Sequence, residues 1–227
     1  LRTRKGKGFE VAEKNPSVWH APGKFNVETG ERIVAKGPKR YKYQEIFGET
    51  VTELARKDER IVGITPAMAS GCGMNLLARE MPDRFYDVGI EEEHAITFSA
   101  GLAAGGMKPF CNIYSSFSQR AYDQLIHDVA IQKLPIVIGV DRAGLVPGVG
   151  KTHQGIYDSA FLRGMPEFEV YSPESYAELK EALKISVNSG KPCAIRYPKG
   201  TEASYDKGAF EDLGDMTVAD IGEGTMS

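Results

Sequence analysis

The chain has 227 residues, 41% hydrophobic and 26% charged, with a formal net charge of -3. That is enough for one sizeable folded domain with appendages, and the balance of charge offers no broad basic surface to a nucleic acid. No apolar run approaches the ~18 residues that cross a bilayer, and the start has no signal-peptide core, so neither a membrane partner nor secretion is expected.

Residues 1–40 are rich in Gly, Pro, Lys and Asn and show little periodicity, which predicts an extended arm with Trp19 and Phe25 as anchors. Its basic opening, Leu1 to Lys7, reads as a solvated or strand-like start rather than a phosphate-binding arm. From Tyr41 the pattern changes. Ile46, Phe47, Val51 and Leu54 recur at helical spacing, and a short apolar strand, Ile61 to Ile64, leads into the loop TPAMASGCG. Then come a helix from Leu76 to Met81, a strand from Phe85 to Val88, and a helix from Glu92 to Gly106. A strand from Pro109 to Tyr114, a helix from Phe117 to Gln132 and the β-branched strand Pro135 to Asp141 follow. Beyond a glycine-rich loop the pattern gives a short helix near Ser159 and a strand around Val170. A helix from Glu174 to Ser189 and a last strand, Cys193 to Tyr197, complete it.

Strands of nearly continuous apolar character alternating with helices predict an α/β domain over 41–200, a mostly parallel sheet with helices on both faces. Active groups in such sheets gather at the carboxyl ends of the strands. After Gly200 the glycine and acidic content rises, so 201–227 reads as a linker leading to a further domain. The chain opens on Leu rather than Met and ends in mid-phrase, which reads as a fragment.

Three segments after strands carry candidate chemistry. In DVGIEEEHA, Asp87 to Ala95, three carboxylates and a histidine arrive at a helix start. They serve the helix dipole there, or one of them occupies a cleft at the sheet's carboxyl edge. In YSSFSQRAYDQLIHD, Tyr114, Phe117, Arg120 and Tyr122 cluster at a strand-to-helix junction. They pack the helix on the sheet, or they give a flat face to a heteroaromatic ring. DRAGLVPGVGKTHQG, Asp141 to Gly155, is a solvated connection or an anion and acid–base site built on Arg142 and His153.

Other motifs fail on spacing. Gly150-Lys151-Thr152 follows a strand, but a P-loop needs its first glycine at 145, which is Leu. Gly71-Cys72-Gly73 lacks the third glycine of a dinucleotide fingerprint, and no ligand spacing supports a metal site within this chain. His20 and His127 read as an arm residue and a helix-surface residue. Cys72, Cys111 and Cys193 are widely spaced with no CxxC, so neither a zinc ribbon nor a disulfide framework is expected, and a reducing cytoplasm is.

Taken in order, the run TPAM, PDRFYDVGIEEEHAITFSAGLAAGGMKPFCNIYSSFSQRAYDQLIHDVAIQKLPIVIGVDRAGLV, GKTHQG and AIRYPKG resembles the 1-deoxy-D-xylulose-5-phosphate synthase family. The likeness covers Tyr41 to Gly200. The opening GKGFEVAEKNPSVWHAPGKFN resembles the end of that family's first domain with its linker, and the tail after 215 its entry to the third. The fold implied for the middle is the thiamine-diphosphate pyrimidine-binding domain of the transketolase type. The activity implied is the thiamine-diphosphate-dependent condensation of pyruvate with D-glyceraldehyde 3-phosphate, with loss of carbon dioxide, in a cytoplasmic homodimer that feeds isoprenoid and thiamine biosynthesis.

The resemblance also implies roles. Glu92 matches the glutamate that bonds the pyrimidine ring and activates the cofactor. Phe117 matches the residue stacking on that ring, with Tyr114 and Arg120 on the same wall. Arg142 and Arg196 match the pair holding the aldehyde's phosphate, and His153 an active-site histidine. The segment that binds Mg2+ and the diphosphate in this superfamily has no counterpart in the sequence, so the chain alone is expected to be inactive. Three positions depart from the family pattern: Glu93 replaces a usual Gln, Val149 a usual Asp, and Pro147 a usual Gly. Two alternatives stay open: a transketolase-like subunit with a different acceptor, and a non-catalytic domain that keeps the fold.

Overall fold

The computed structural model describes residues 2–33, 40–203, 210–212 and 217–219. The chain divides into two compact units, Leu1–Arg40 and Tyr41–Ser227.

The first unit holds more local structure than the extended arm expected from its composition. A short helix α1 (Glu10–Lys14) and a 3-10 turn (Val18–His20) are followed by an isolated antiparallel bridge between Phe25 and Arg32. The physical reason is aromatic. Trp19 stands edge-on to both Phe9 and Phe25, with ring centroids 5.0 and 4.8 Å apart, and three rings that cover one another hold a turn that glycine-rich backbone alone does not.

The second unit is built on a six-stranded sheet in the order β2-β1-β3-β4-β6-β5. The strands are β1 (Ile61–Thr65), β2 (Phe85–Asp87), β3 (Lys108–Tyr114), β4 (Val137–Asp141), β5 (Glu169–Tyr171) and β6 (Cys193–Tyr197). Every pairing is parallel, so the expected fold class holds. All residues of β1 and β4 are buried, which explains their unbroken apolar runs: a strand covered on both faces has no solvent side to alternate toward. The chain moves outward from β1 to β2 and then returns to place β3 on the other side of β1. That reversal makes a switch point, where crevices open beyond the carboxyl ends of the strands.

One face of the sheet is covered by α2 (Tyr43–Lys57), α3 (Asn75–Glu80) and α8 (Tyr176–Ser186), the other by α4 (Glu92–Ala104) and the helical stretch after β3. On α2, Phe47, Val51 and Ala55 lie at four-residue spacing and are fully buried. Close approach depends on glycine. A Cβ on Gly48 of α2 would sit 1.8 Å from the Gly73 carbonyl oxygen, so α2 and the loop after β1 touch backbone to backbone. On the central strand, a Cβ on Gly139 would lie 2.7 Å from the Phe47 ring and 3.0 Å from Asn112 Cγ. Its absence lets Tyr197 of β6 reach across β4 to Asn112 of β3, whose Nδ2 donates to the Tyr197 hydroxyl at 2.7 Å.

The helix expected from Phe117 to Gln132 is broken into pieces. It consists of α5 (Ser115–Ser118), a 3-10 turn (Gln119–Ala121), α6 (Tyr122–Gln124) and a π-helical segment (Leu125–Ala130). Ile131 N–H donates to the Ile126 carbonyl at 3.0 Å and Leu134 N–H to that of Val129 at 3.1 Å, the five-residue spacing of a π-turn. The widened turn brings Leu125, Val129 and Ala130 into the core together, which a 3.6-residue period read from sequence does not anticipate. The last helix of the sheet domain is shorter than the Glu174 to Ser189 span expected. It starts where Ser175 Oγ accepts from the Glu178 N–H at 3.2 Å, an N-cap that fixes its first turn.

A helix α7 (Asp158–Arg163) fills the gap before β5. Beyond Gly200, β7 (Phe210–Asp212) and β8 (Thr217–Ala219) pair antiparallel; the rest of the reading for 204–227 lies outside the described residues. Among the described residues no helix is long and apolar enough to cross a membrane.

Candidate active site

The carboxyl edge of the sheet collects most of the residues singled out above. Tyr114 ends β3 and Phe117 lies one turn into α5; their rings stack with centroids 5.5 Å apart. His153 meets Phe117 edge-on at 5.2 Å, and the Arg120 guanidinium lies 5.5 Å from the Phe117 ring centre. Arg142 has a left-handed backbone (φ 60°), which ends the strand alternation of β4, and its guanidinium lies over Tyr114, 3.8 Å from the ring centre. Tyr114, Phe117, Arg120, Arg142 and His153 are thus brought together. The loop after β1 closes on them, since a Cβ on Gly71 would stand 1.9 Å from the Tyr114 hydroxyl. Tyr122, the remaining aromatic of that segment, turns away and packs on Phe161 with centroids 5.3 Å apart.

His153 sits on a loop closed at its neck. Gly144 and Gly155 exchange backbone hydrogen bonds of 2.6 and 2.8 Å. The Gln154 side chain staples the interior: its oxygen accepts from Val146 N–H at 2.8 Å, and its amide donates to the Gly150 carbonyl at 2.6 Å. His153 Nδ1 shares a hydrogen bond of 2.7 Å with Thr152 Oγ1. The loop is therefore ordered by its own glutamine and glycines, with Pro147 and Val149 inside the staple.

Glu92 is the first residue of α4 and is 4% exposed. It makes no hydrogen bond or ion pair with the described residues and stands outside the ring cluster; its helix packs along the segment Gln119–Ala130 that follows Phe117. Its neighbour Glu93 is half-buried and Glu91 exposed, so one of the three carboxylates points inward. Helix geometry separates adjacent side chains in this way.

The two arginines matched to a phosphate grip have different surroundings. The Arg196 Nε and Nη2 groups both reach the buried carboxylate of Asp158, and Nη1 donates to Ser172 Oγ at 3.2 Å. Arg142 instead has Lys199 as its cationic neighbour. The Lys199 ammonium donates to the Pro147 carbonyl at 3.3 Å, and burial together with Arg142 and Lys42 pushes its pKa below the usual lysine value. The cation pair at this edge is Arg142 with Lys199, while Arg196 is held by an acid.

Beneath this pair lies Asp141, the last residue of β4, fully buried with neither carboxylate oxygen hydrogen-bonded among the described residues. Burial pushes its pKa up to about 7, and the nearby Arg142 and Lys199 cations only partly offset that. Sequence reasoning passed over Asp141, Asp158 and Lys199. An acid closing an otherwise apolar strand was a usable signal for the first. Asp158 looks like any helix-start acid, and Lys199 lies three residues beyond the arginine that drew attention.

Other regions offer less. A cleft of about 340 Å³ opens at the amino ends of β5 and β6, lined by Lys133, Pro166, Glu167, Glu169, Lys191 and Pro192. Its Lys191–Glu169 ion pair, 2.6 Å, is satisfied within itself. Among the described residues no three His, Cys, Asp or Glu side chains gather as a metal site would require. The three cysteines are free and buried.

A six-stranded parallel sheet with a switch point, helices on both faces and an aromatic wall at its carboxyl edge define the class of this α/β domain. Residues 39–202 match the family described as the transketolase pyrimidine-binding domain, and the chain belongs to that family. Among curated proteins it is 52% identical, over 99% of its length, to the 1-deoxy-D-xylulose-5-phosphate synthase of Parabacteroides distasonis, and covers 35% of that protein. The synthase of Bacteroides fragilis is 54% identical over 91% of this chain, which covers 32% of it. The chain thus spans about a third of the length of these relatives. Among solved structures, a split-gene transketolase described as an inactive β4 tetramer aligns with TM-score 0.65 at 25% identity, covering 74% of this chain and 55% of that one. Transketolase from Campylobacter jejuni, at 22% identity and TM-score 0.64 over 74% of this chain and 27% of its own, shares the fold.

Proposed function

We propose that this chain is the pyrimidine-binding part of a 1-deoxy-D-xylulose-5-phosphate synthase, which condenses pyruvate with D-glyceraldehyde 3-phosphate and releases carbon dioxide. The observation that carries the reading is Glu92. It is 4% exposed at the start of α4 and its side chain makes no hydrogen bond or ion pair with the described residues, which leaves its carboxyl group available to a ligand. The amino and ring nitrogens of an aminopyrimidine are partners for it, and the Phe117 face suits a flat heterocycle.

The group implied is thiamine diphosphate, which when bound supplies an electron sink for breaking and forming carbon–carbon bonds. Glu92 bonds the pyrimidine ring nitrogen and moves a proton there, the task of a positioned general acid–base group. Phe117 carries the ring, with Tyr114 and Arg120 bordering it. Arg142 and Lys199 hold the acceptor's phosphate, Arg142 offering its planar fork. His153, against Phe117, exchanges protons with the reacting oxygens. We place the diphosphate and its Mg2+ on a separate domain, in keeping with the resemblance to the synthase family. A homodimer in the cytoplasm completes the reading.

Residues 41–200 grafted in place of the corresponding span of the Parabacteroides distasonis synthase test this. The chimera is expected to form product from pyruvate and the phosphorylated aldehyde, while the 227-residue chain alone forms none. A well-folded chimera without activity, or one indifferent to the acceptor's phosphate, overturns the reading.

A further inference from the structure

Asp158 is 1% exposed and joins three parts of the carboxyl edge. Its carboxylate receives the Nε of Arg196 from β6 and, from Nη2 of the same guanidinium, a bond of 3.4 Å. On its other side Oδ1 accepts from Ser115 Oγ at 2.9 Å, and Ser115 opens α5 immediately after Tyr114 and two residues before Phe117. Asp158 itself begins α7, three residues beyond Gly155, where the neck of the His153 loop closes. The fit at that neck is tight. A Cβ on Gly155 would lie 2.8 Å from Ser115 Oγ and 2.2 Å from the Arg142 carbonyl oxygen. Arg196 is tied further to Ser172 beyond β5, so the carboxylate anchors to a group that cannot swing.

A buried carboxylate holding a guanidinium on one side and a serine on the other is costly to leave half-satisfied, which makes its position well determined. We infer that Asp158 is a positioning residue: through Ser115 and Arg196 it fixes the neck of the 144–155 loop, and with it His153, against the aromatic wall. The inference rests on the proposed function for what His153 then does, but the clamp itself is a property of the chain alone.

Two measurements test it on different grounds. Amide hydrogen exchange of the 227-residue chain reads the neck directly, because Gly144 and Gly155 N–H groups are both bonded there. Asp158→Asn removes charge-assisted bonds and is expected to raise their exchange by about ten- to hundredfold, leaving the amides of Ile138 and Val140 in β4 unchanged. Ser115→Ala is expected to act in the same direction with a smaller effect, and carries the test if Asp158→Asn does not fold. Unchanged neck exchange, or exchange that rises equally in β4, overturns the inference. In the grafted synthase, Asp158→Asn is expected to lower kcat about tenfold with the KM for the phosphorylated aldehyde unchanged. A rise in that KM with kcat intact contradicts it, since Asp158 would then act on substrate binding and not on the position of His153. An inactive parent graft sinks the proposed function and leaves the exchange result standing by itself.

Discussion

Glu92→Gln in the grafted synthase is expected to reduce turnover by about 10²–10⁴-fold, the span of a lost general acid–base group. The two side chains are nearly isosteric, and an amide still donates and accepts hydrogen bonds, so the pyrimidine ring can dock. What the amide cannot do is take up or release the proton. Glu92 is also the first residue of α4, where a negative charge favours the helix dipole by about 0.3–1 kcal/mol. The rival reading, a helix-start acid with no chemistry, therefore has its own signature. Stability would fall by that small amount and activity would stay. Thermal melts of the 227-residue variant beside the kinetics of the graft separate the two. A variant that keeps full turnover removes Glu92 from the mechanism.

The second large effect concerns stability and pH. Asp141 titrates at about 7 in the folded chain because burial disfavours its charge, against 3.8 for an ordinary aspartate. Between those values the folded chain holds a proton that the unfolded chain has released, so unfolding becomes easier as pH rises from about 4 to about 7. Above that window the native state carries a deprotonated, desolvated carboxylate at a cost of about 4 kcal/mol. Asp141→Asn lacks the titration. Denaturant unfolding of both proteins is expected to show the variant gaining on the parent across this window, with the gap constant at higher pH. Asp58 behaves oppositely and does not interfere. Arg60 and Lys108 hold it well below the usual carboxylate range, so its contribution is present above 3.8 and lost only in stronger acid. A gap that stays flat from acid to neutral pH would mean that the Asp141 carboxyl finds a partner.

The sheet was the most legible part of the molecule. β1 and β4 are covered on both faces, and such strands write themselves as unbroken apolar runs such as PIVIGVD. The helix after β3 was less so. Its π-helical turns place residues inward at a spacing that a 3.6-residue reading treats as continuous helix. In the first unit, Trp19 and Phe25 were recognised as anchors, but their partner Phe9 and the turn they stabilise depend on ring packing that composition does not encode.

The ring cluster was legible in part, because Tyr114, Phe117 and Arg120 sit within one strand-to-helix junction and proximity in sequence becomes proximity in space, while Tyr122 of the same segment packs on Phe161 instead. The cations did not follow as well. Arg196 and Lys199 lie in one short segment at the end of β6, and only strand direction decides which of them meets Asp158 and which meets Arg142. Asp158 takes its importance from Ser115 and Arg196, both distant in sequence, so no local pattern announces it.

A crystal structure of the grafted synthase with thiamine diphosphate bound tests the central claim most directly. It is expected to place a Glu92 carboxylate oxygen about 2.6–3.2 Å from the pyrimidine ring nitrogen, with the Phe117 ring stacked on the heterocycle. A coenzyme seated with that acid turned to water, or with its ring clear of Phe117, would contradict it.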